Sequence, residues 1–192
     1  DTVTISRMAY GYSVEMSPLQ TVMFYNAIAN NGKMVAPMLV KEIRSNGETI
    51  KTFETTVVKN SICGSQTLED IKTCLHDVVW DNNLGTASVY KWKGHIAKYK
   101  AQSQLVPIAG KTGTAQVMEN GRYYSNKHRM SFVGYFPEDA PQHSGICVIH
   151  GPRKKGLYDA GMDCGSVVRH IAEKTMAYTN EYVLQNGNLV FK

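Results

Sequence analysis

Apolar residues along this chain change their period several times, and each change marks an element. Leu19, Val22, Met23, Phe24, Ala27 and Ile28 recur behind Ser17-Pro18-Leu19-Gln20, a reciprocal N-terminal cap with proline at the first helical position. The pattern predicts a helix to about Asn30, stopped before Gly32. Its apolar residues cover much of the circumference, so this helix is expected to be mostly buried. From Met34 to Phe53 the pattern shortens to strand length around Asn46-Gly47, a two-residue hairpin signal. Leu68, Ile71, Leu75, Val78 and Val79 then mark a second helix from Thr67, with Cys74 on its apolar side and Asn82 to Gly85 ending it.

Three strands are predicted near 107–118, 129–137 and 144–150, joined by polar loops. A last helix is expected near 165–178, with Val168, Ile171, Ala172 and Thr175 on one side. Asn186-Gly187 between Tyr182-Val183-Leu184 and Leu189-Val190-Phe191 predicts a terminal hairpin. No internal repeat is present. The fold class that follows is α+β, with helices packed on a short antiparallel sheet.

Composition narrows the function classes. The chain has 192 residues, 43% of them hydrophobic and 19% charged, which fits one folded core and not a disordered tail. No apolar run is long enough to span a membrane. The net charge of +5 raises the question of nucleic acid. Lys91 to Lys100 interleaves cations with aromatics, and Arg153-Lys154-Lys155 adds a second basic cluster. No nucleic-acid-binding fold signature accompanies them. The stretch is read as a solvated loop whose aromatics cover the core, and nucleic acid is not assigned as a partner. Cys63, Cys74, Cys147 and Cys164 lack Cys-x-x-Cys spacing, and Cys74 and Cys147 read as small core residues. Cys147 and His150, three apart on a strand, face opposite ways. No metal and no cofactor is assigned.

The chemistry-bearing stretch is Gly110-Lys111-Thr112-Gly113-Thr114-Ala115-Gln116. An edge strand there offers unpaired backbone groups to an extended peptide. Gly113 lets another backbone come close. Lys111 supplies a cation, and Thr112 and Thr114 supply hydroxyls suited to a carboxylate. A backbone N–H near Thr114 is a candidate oxyanion donor.

A Lys-Thr-Gly triplet in this setting resembles class B penicillin-binding proteins, the transpeptidases that cross-link peptidoglycan. Four further segments carry the resemblance in the family's order. They are Tyr10 to Val14 with Ser17 to Gln20, then Ala27 to Pro37, then Ser131 to Pro137, and last Asp159-Ala160-Gly161 with Ile171 to Lys174. The resemblance implies a serine acyl-enzyme mechanism on peptidoglycan stem peptides, with β-lactams acylating the intact enzyme. It implies Lys111 as a catalytic residue, and Lys111, Thr112, Gly113 and Thr114 as substrate-binding residues. It also implies a periplasmic or other extracytoplasmic location in the cell envelope, with other cell-wall synthesis proteins as possible partners.

The departure from the family concerns the nucleophile. The one Ser-x-x-Lys, Ser88 to Lys91, lies too close before Lys111 and on the wrong side of the second helix, and no Ser-x-Asn occurs. Ser88 is therefore read as a decoy. The chain is expected to be the C-terminal portion of a transpeptidase domain, over residues 1–192, with the nucleophile and a membrane anchor on an N-terminal part outside it. Alone it is expected to be inactive. The strand Ile146-Cys147-Val148-Ile149 is expected to have an unpartnered edge, covered by the terminal hairpin or by a second copy of the chain. A non-catalytic wall-peptide-binding or β-lactam-sensing domain of the same fold is the alternative.

Overall fold

The computed structural model describes residues 2–8, 11–12, 14–119, 122–151, 159–179, 182–185 and 188–191. A short helix α1 (Thr2–Met8) leads to α2 (Pro18–Ala29). The predicted cap forms in both directions: the Ser17 hydroxyl accepts from the Gln20 N–H at 3.2 Å, and the Gln20 side chain accepts from the Ser17 N–H at 2.9 Å. The helix stops where Asn31 and Gly32 turn to φ of 51° and 86°, and the Gly32 N–H bonds the Ala27 carbonyl at 2.8 Å. Only Ala27 and Ile28 are buried, whereas Leu19 is 56% and Phe24 43% exposed. This corrects the expected mostly buried helix. The helix rests on the central sheet along one side, and one contact face cannot cover apolar residues spread around the circumference.

Short strands follow. β1 (Met34–Val35) pairs with β4 (Val57–Lys59), and β2 (Glu42–Ser45) pairs with β3 (Glu48–Thr52). Asn46 and Gly47, both at positive φ, make the turn their sequence predicts. Helix α3 (Ser65–Trp80) starts two residues before the expected position and buries Leu68, Leu75 and Val79. Cys74 is exposed, and Ile71 is 39% exposed. Cys74 lies about 120° around the helix from Leu68 at 100° per residue, off the buried stripe, so its expected core position is corrected. The end of α3 is locked by the Asp81 carboxylate, which accepts from the Asn83 and Leu84 N–H groups. Those two bonds hold its carboxyl below the usual range.

The basic stretch forms a hairpin, β5 (Val89–Trp92) and β6 (His95–Tyr99), turning at Lys93 and Gly94. It is an exposed hairpin, not a loop folded over the core: Tyr90 is exposed at 43%. The basic cluster Arg153-Lys154-Lys155 lies outside the described residues.

The central sheet is β7 (Ala109–Glu119), β8 (Arg122–Phe136) and β9 (His143–His150), antiparallel in that order. Alternation along β8 feeds two cores. Met130, Phe132 and Phe136 join Cys164, Val168, Ala172 and Met176 on one face, while Tyr135 joins Ile28, Leu68, Leu75 and Ala109 on the other. The first face is covered by a single π-turn (Gly161–Gly165) leading into α4 (Ser166–Tyr178). In α4 the buried residues are Val168, Ala172 and Met176, four apart, and Ile171 is 53% exposed. That moves the packed stripe away from the Ile171 side expected from sequence. Cys147 packs beside Cys164, and burial, reinforced by the neighbouring Cys147 sulfur, pushes the Cys164 thiol up to about 12.

The terminal hairpin is present as β10 (Tyr182–Gln185) and β11 (Asn188–Phe191), its turn Asn186-Gly187 lying outside the described residues. It pairs with itself and not with β9. This corrects the expectation that the tail covers the edge at 146–149: among the described residues β9 pairs with β8 alone and keeps the open edge expected of it, while helices on its faces half-bury its side chains. No helix among the described residues is long and apolar enough to cross a membrane.

Candidate active site on the edge strand

Strand β7 is an edge of the central sheet. Lys111, Thr112, Gly113 and Thr114 sit opposite Val133, Phe132, Ser131 and Met130 of β8 in an unbroken register, the first irregularity coming after Gln116. Lys111 and Thr114 are exposed, and Thr112 and Gly113 half-buried. The Gln116 N–H donates to the Tyr12 hydroxyl at 3.3 Å, away from β8. In an antiparallel ladder, residues two apart aim their N–H and C=O groups to the same side. The backbone groups of Thr112 and Thr114 therefore face the free edge as well. An independent contact agrees: the Thr112 carbonyl accepts from the Lys111 ammonium at 3.0 Å.

Tyr12 closes this edge at its far end. Its ring meets Tyr123 edge-on at 5.3 Å, so the turn after α1 is docked on both arms of the β7–β8 hairpin. The backbone row open to an incoming strand thus runs along Lys111 to Thr114 and stops at Gln116. A Cβ on Gly113 would lie 2.7 Å from the Ser131 hydroxyl, so a side chain here has to displace that hydroxyl.

The structure adds one residue that sequence reasoning missed. The Thr112 hydroxyl lies 2.7 Å from the Thr86 hydroxyl, in the loop after α3, and 3.5 Å from the Lys111 ammonium. The Thr86 carbonyl accepts from Lys100 Nζ at 3.2 Å, and Lys100 pairs with Asp159 at 2.8 Å. Thr86 is a lone hydroxyl in a polar turn far from Thr112 in sequence, and no spacing rule singles it out.

Ser88 does not share this site's geometry. It is 1% exposed, and its hydroxyl donates to the Gly85 carbonyl at 2.9 Å. Lys91 reaches instead to the Asn83 side chain at 3.1 Å. A Ser-x-x-Lys pair meets on a helix, where residues three apart share a face. Ser88 leads into strand β5, where residues three apart face opposite ways.

A cleft of about 560 Å³ lies by the start of β7 and is lined by Lys72, His76, Pro107, Tyr135, Glu138 and Asp139 among others. His76 Nδ1 lies 2.8 Å from Glu138 Oε1 and its ring stacks on Trp80. Burial pushes the Glu138 carboxyl up, against the lowering pull of His76. A carboxyl raised in the folded state contributes stability below its unfolded pKa, and that contribution is lost as pH rises through the folded value. Replacing Glu138 by Gln is therefore expected to change the thermal midpoint more favourably at about pH 7 than at about pH 4. The reverse order in paired melting curves removes burial as the dominant influence on this group.

Known proteins resemble this chain in sequence and in fold. The family profile for the penicillin binding protein transpeptidase domain matches residues 1–176. The chain is 27% identical over 147 residues to the stage V sporulation protein D of Bacillus subtilis, covering 76% of this chain and 20% of that protein. It is 25% identical over 178 residues to the peptidoglycan D,D-transpeptidase FtsI homologue of Mesostigma viride, covering 86% of this chain and 27% of that protein. The crystal structure of penicillin binding protein 3 from Mycobacterium tuberculosis, complexed with aztreonam, matches with a TM-score of 0.72 at 23% identity, over 98% of this chain and 41% of that one. This last likeness concerns the fold. The chain spans less than a third of the length of either relative.

Proposed function

Because this chain belongs to the penicillin-binding protein transpeptidase-domain family, we propose that it is the C-terminal part of a D,D-transpeptidase domain. The intact enzyme cross-links peptidoglycan stem peptides through a serine acyl-enzyme and is acylated by β-lactams. The observation that carries this reading is the free edge of β7, where Lys111, Thr112 and Thr114 stand beside outward-facing backbone groups. A D-alanyl-D-alanine terminus in extended form docks along that edge as one more strand. Its carboxylate meets the Lys111 ammonium and the Thr112 and Thr114 hydroxyls, which suit it in charge and donors. Gly113 keeps the strand narrow where the peptide lies. The Thr114 N–H donates to the scissile carbonyl oxygen as negative charge develops there.

The serine attacks that carbonyl, D-alanine leaves, and an acceptor amine then takes the acyl group. The nucleophile and its base lie on a segment outside this chain. The burial of Ser88 and its bond to the Gly85 carbonyl support leaving it out of that role. The parent works at the extracytoplasmic face of the cell envelope, held by an anchor outside this chain. Its relatives, named as cell-wall transpeptidases and penicillin-binding proteins, support that location.

The test uses a fluorescent penicillin, denaturation and intact-mass measurement. The parent protein is expected to carry one covalent adduct, and the 192-residue chain alone none. A stoichiometric adduct on Ser88 overturns the assignment. Release of D-alanine from a stem peptide, with transfer to an added amine, separates the enzyme from a β-lactam sensor, which acylates without transfer.

A further inference from the structure

We propose that Thr86 is a positioning residue for this site, aiming the proton of Thr112 at the substrate carboxylate. The inference rests on the transpeptidase reading and extends it to a residue outside the Lys-Thr-Gly strand. A threonine hydroxyl has one proton and two lone pairs, and a carboxylate has no donor of its own. When Thr112 binds a carboxylate, its single proton must point at the ligand. Its oxygen is then an acceptor toward everything else. The neighbours on the protein side are the Lys111 ammonium at 3.5 Å and the Thr86 hydroxyl at 2.7 Å. Lysine donates in any case, and either hydroxyl of the short Thr86 contact can donate to the other; once the Thr112 proton is on a carboxylate, Thr86 is the group that donates to the Thr112 oxygen. Without that hydroxyl, the Thr112 oxygen loses its close donor, and the outward hydrogen bond to the ligand loses the support of the chain behind it.

The loop holding Thr86 is fixed from several sides. The Gly85 N–H bonds the Asp81 carbonyl at 2.8 Å, and the Ala87 N–H bonds the Val78 carbonyl at 2.9 Å. The Thr86 carbonyl takes the Lys100 ammonium, which the Asp159 carboxylate anchors. Lys100 is 13% exposed in this pair. Gly161 abuts the same carbonyl so closely that a Cβ there would come within 2.4 Å of it. Backbone bonds on both neighbours, with an anchored lysine and the close Gly161 backbone at its own carbonyl, hold the residue whose side chain ends on Thr112. That preorganises the contact before substrate arrives.

The experiment uses the full-length parent protein with Thr86→Val and Thr86→Ser. Second-order acylation rates are measured by intact mass with benzylpenicillin and with its methyl ester, which lacks the carboxylate charge. One positioned hydrogen bond predicts that Thr86→Val acylates about tenfold more slowly with benzylpenicillin and within about twofold of wild type with the ester. Thr86→Ser, which keeps the hydroxyl, is expected to stay within about twofold of wild type on both probes. A partly unfolded variant loses both rates in the same proportion, so the ratio of the two probes is free of that effect. An equal loss on both probes, or a Ser variant as slow as Val, overturns the positioning role. If wild-type parent takes neither probe, the transpeptidase reading itself fails. If wild type prefers the free acid and Thr86→Val keeps that preference, only the Thr86 inference fails.

Discussion

Replacing Lys111 by alanine in the parent protein is expected to slow penicillin acylation about a hundredfold, the scale of losing one preorganised electrostatic group from an acyl-transfer site. The stability of the fold is expected to remain. Lys111 is exposed, and its hydrogen bonds run to its neighbour Thr112, so no buried partner is stranded when the side chain goes. The loss has two sources. The ammonium supplies positive charge to the proposed carboxylate, and it also donates toward the Thr112 oxygen, helping to turn that hydroxyl outward. Lys111→Arg is expected to recover only part of the rate, because a planar fork replaces a compact point charge. Acylation kinetics paired with melting curves decide the matter. An unchanged rate in a folded Lys111→Ala variant removes Lys111 from the site.

What was legible in the sequence was local. The Ser17 cap, the Asn46-Gly47 turn, β7, β9 and the later part of β8 are each set by contacts within a few residues or by alternation, and formed where their signals lie. The exposed Lys111 and Thr114 on an edge strand were also within reach, because glycine and β-formers at that spacing admit few other shapes. What was not legible depended on neighbours that no period encodes. The apolar circumference of α2 says nothing of how many sides are covered, and only Ala27 and Ile28 turned out to be. On α4 the sequence offers both Ile171 and Met176 to the inward side, and Met176 is the one buried. The early part of β8, Arg122 to His128, reads as a polar loop, yet it pairs with β7 as a ladder that reaches past the core. Thr86 is the sharpest case, since its partner Thr112 is met only when the loop after α3 folds against the edge strand.

The largest stability loss is expected at Phe132, which ties the site strand to the core. Phe132 is 0% exposed and stands opposite Thr112 on β7 and Cys147 on β9. Its ring lies against the paired glycines Gly110 and Gly134: a Cβ on Gly110 would come within 2.6 Å of the ring's Cζ, and one on Gly134 within 3.2 Å of Cε1. The ring fills the space that two missing side chains leave, as aromatic residues do over sheet glycines. Truncation to alanine therefore opens a void that neither glycine can fill. Backbone collapse is blocked as well, because the strands already approach so closely that a Cβ on Gly110 would meet the Val133 carbonyl at 2.5 Å. Such a site relaxes poorly, and Phe132→Ala is expected to cost about 3–5 kcal/mol, the upper range for large-to-small core changes. Phe132→Leu, which retains most of the volume, is expected to cost about 1.5 kcal/mol or less. Urea unfolding checks both, through a lowered midpoint at an unchanged slope. A loss below about 1 kcal/mol for Phe132→Ala would show that the strands can close over the two glycines. Phe132 would then not be what holds Gly110, and Lys111 beside it, in register.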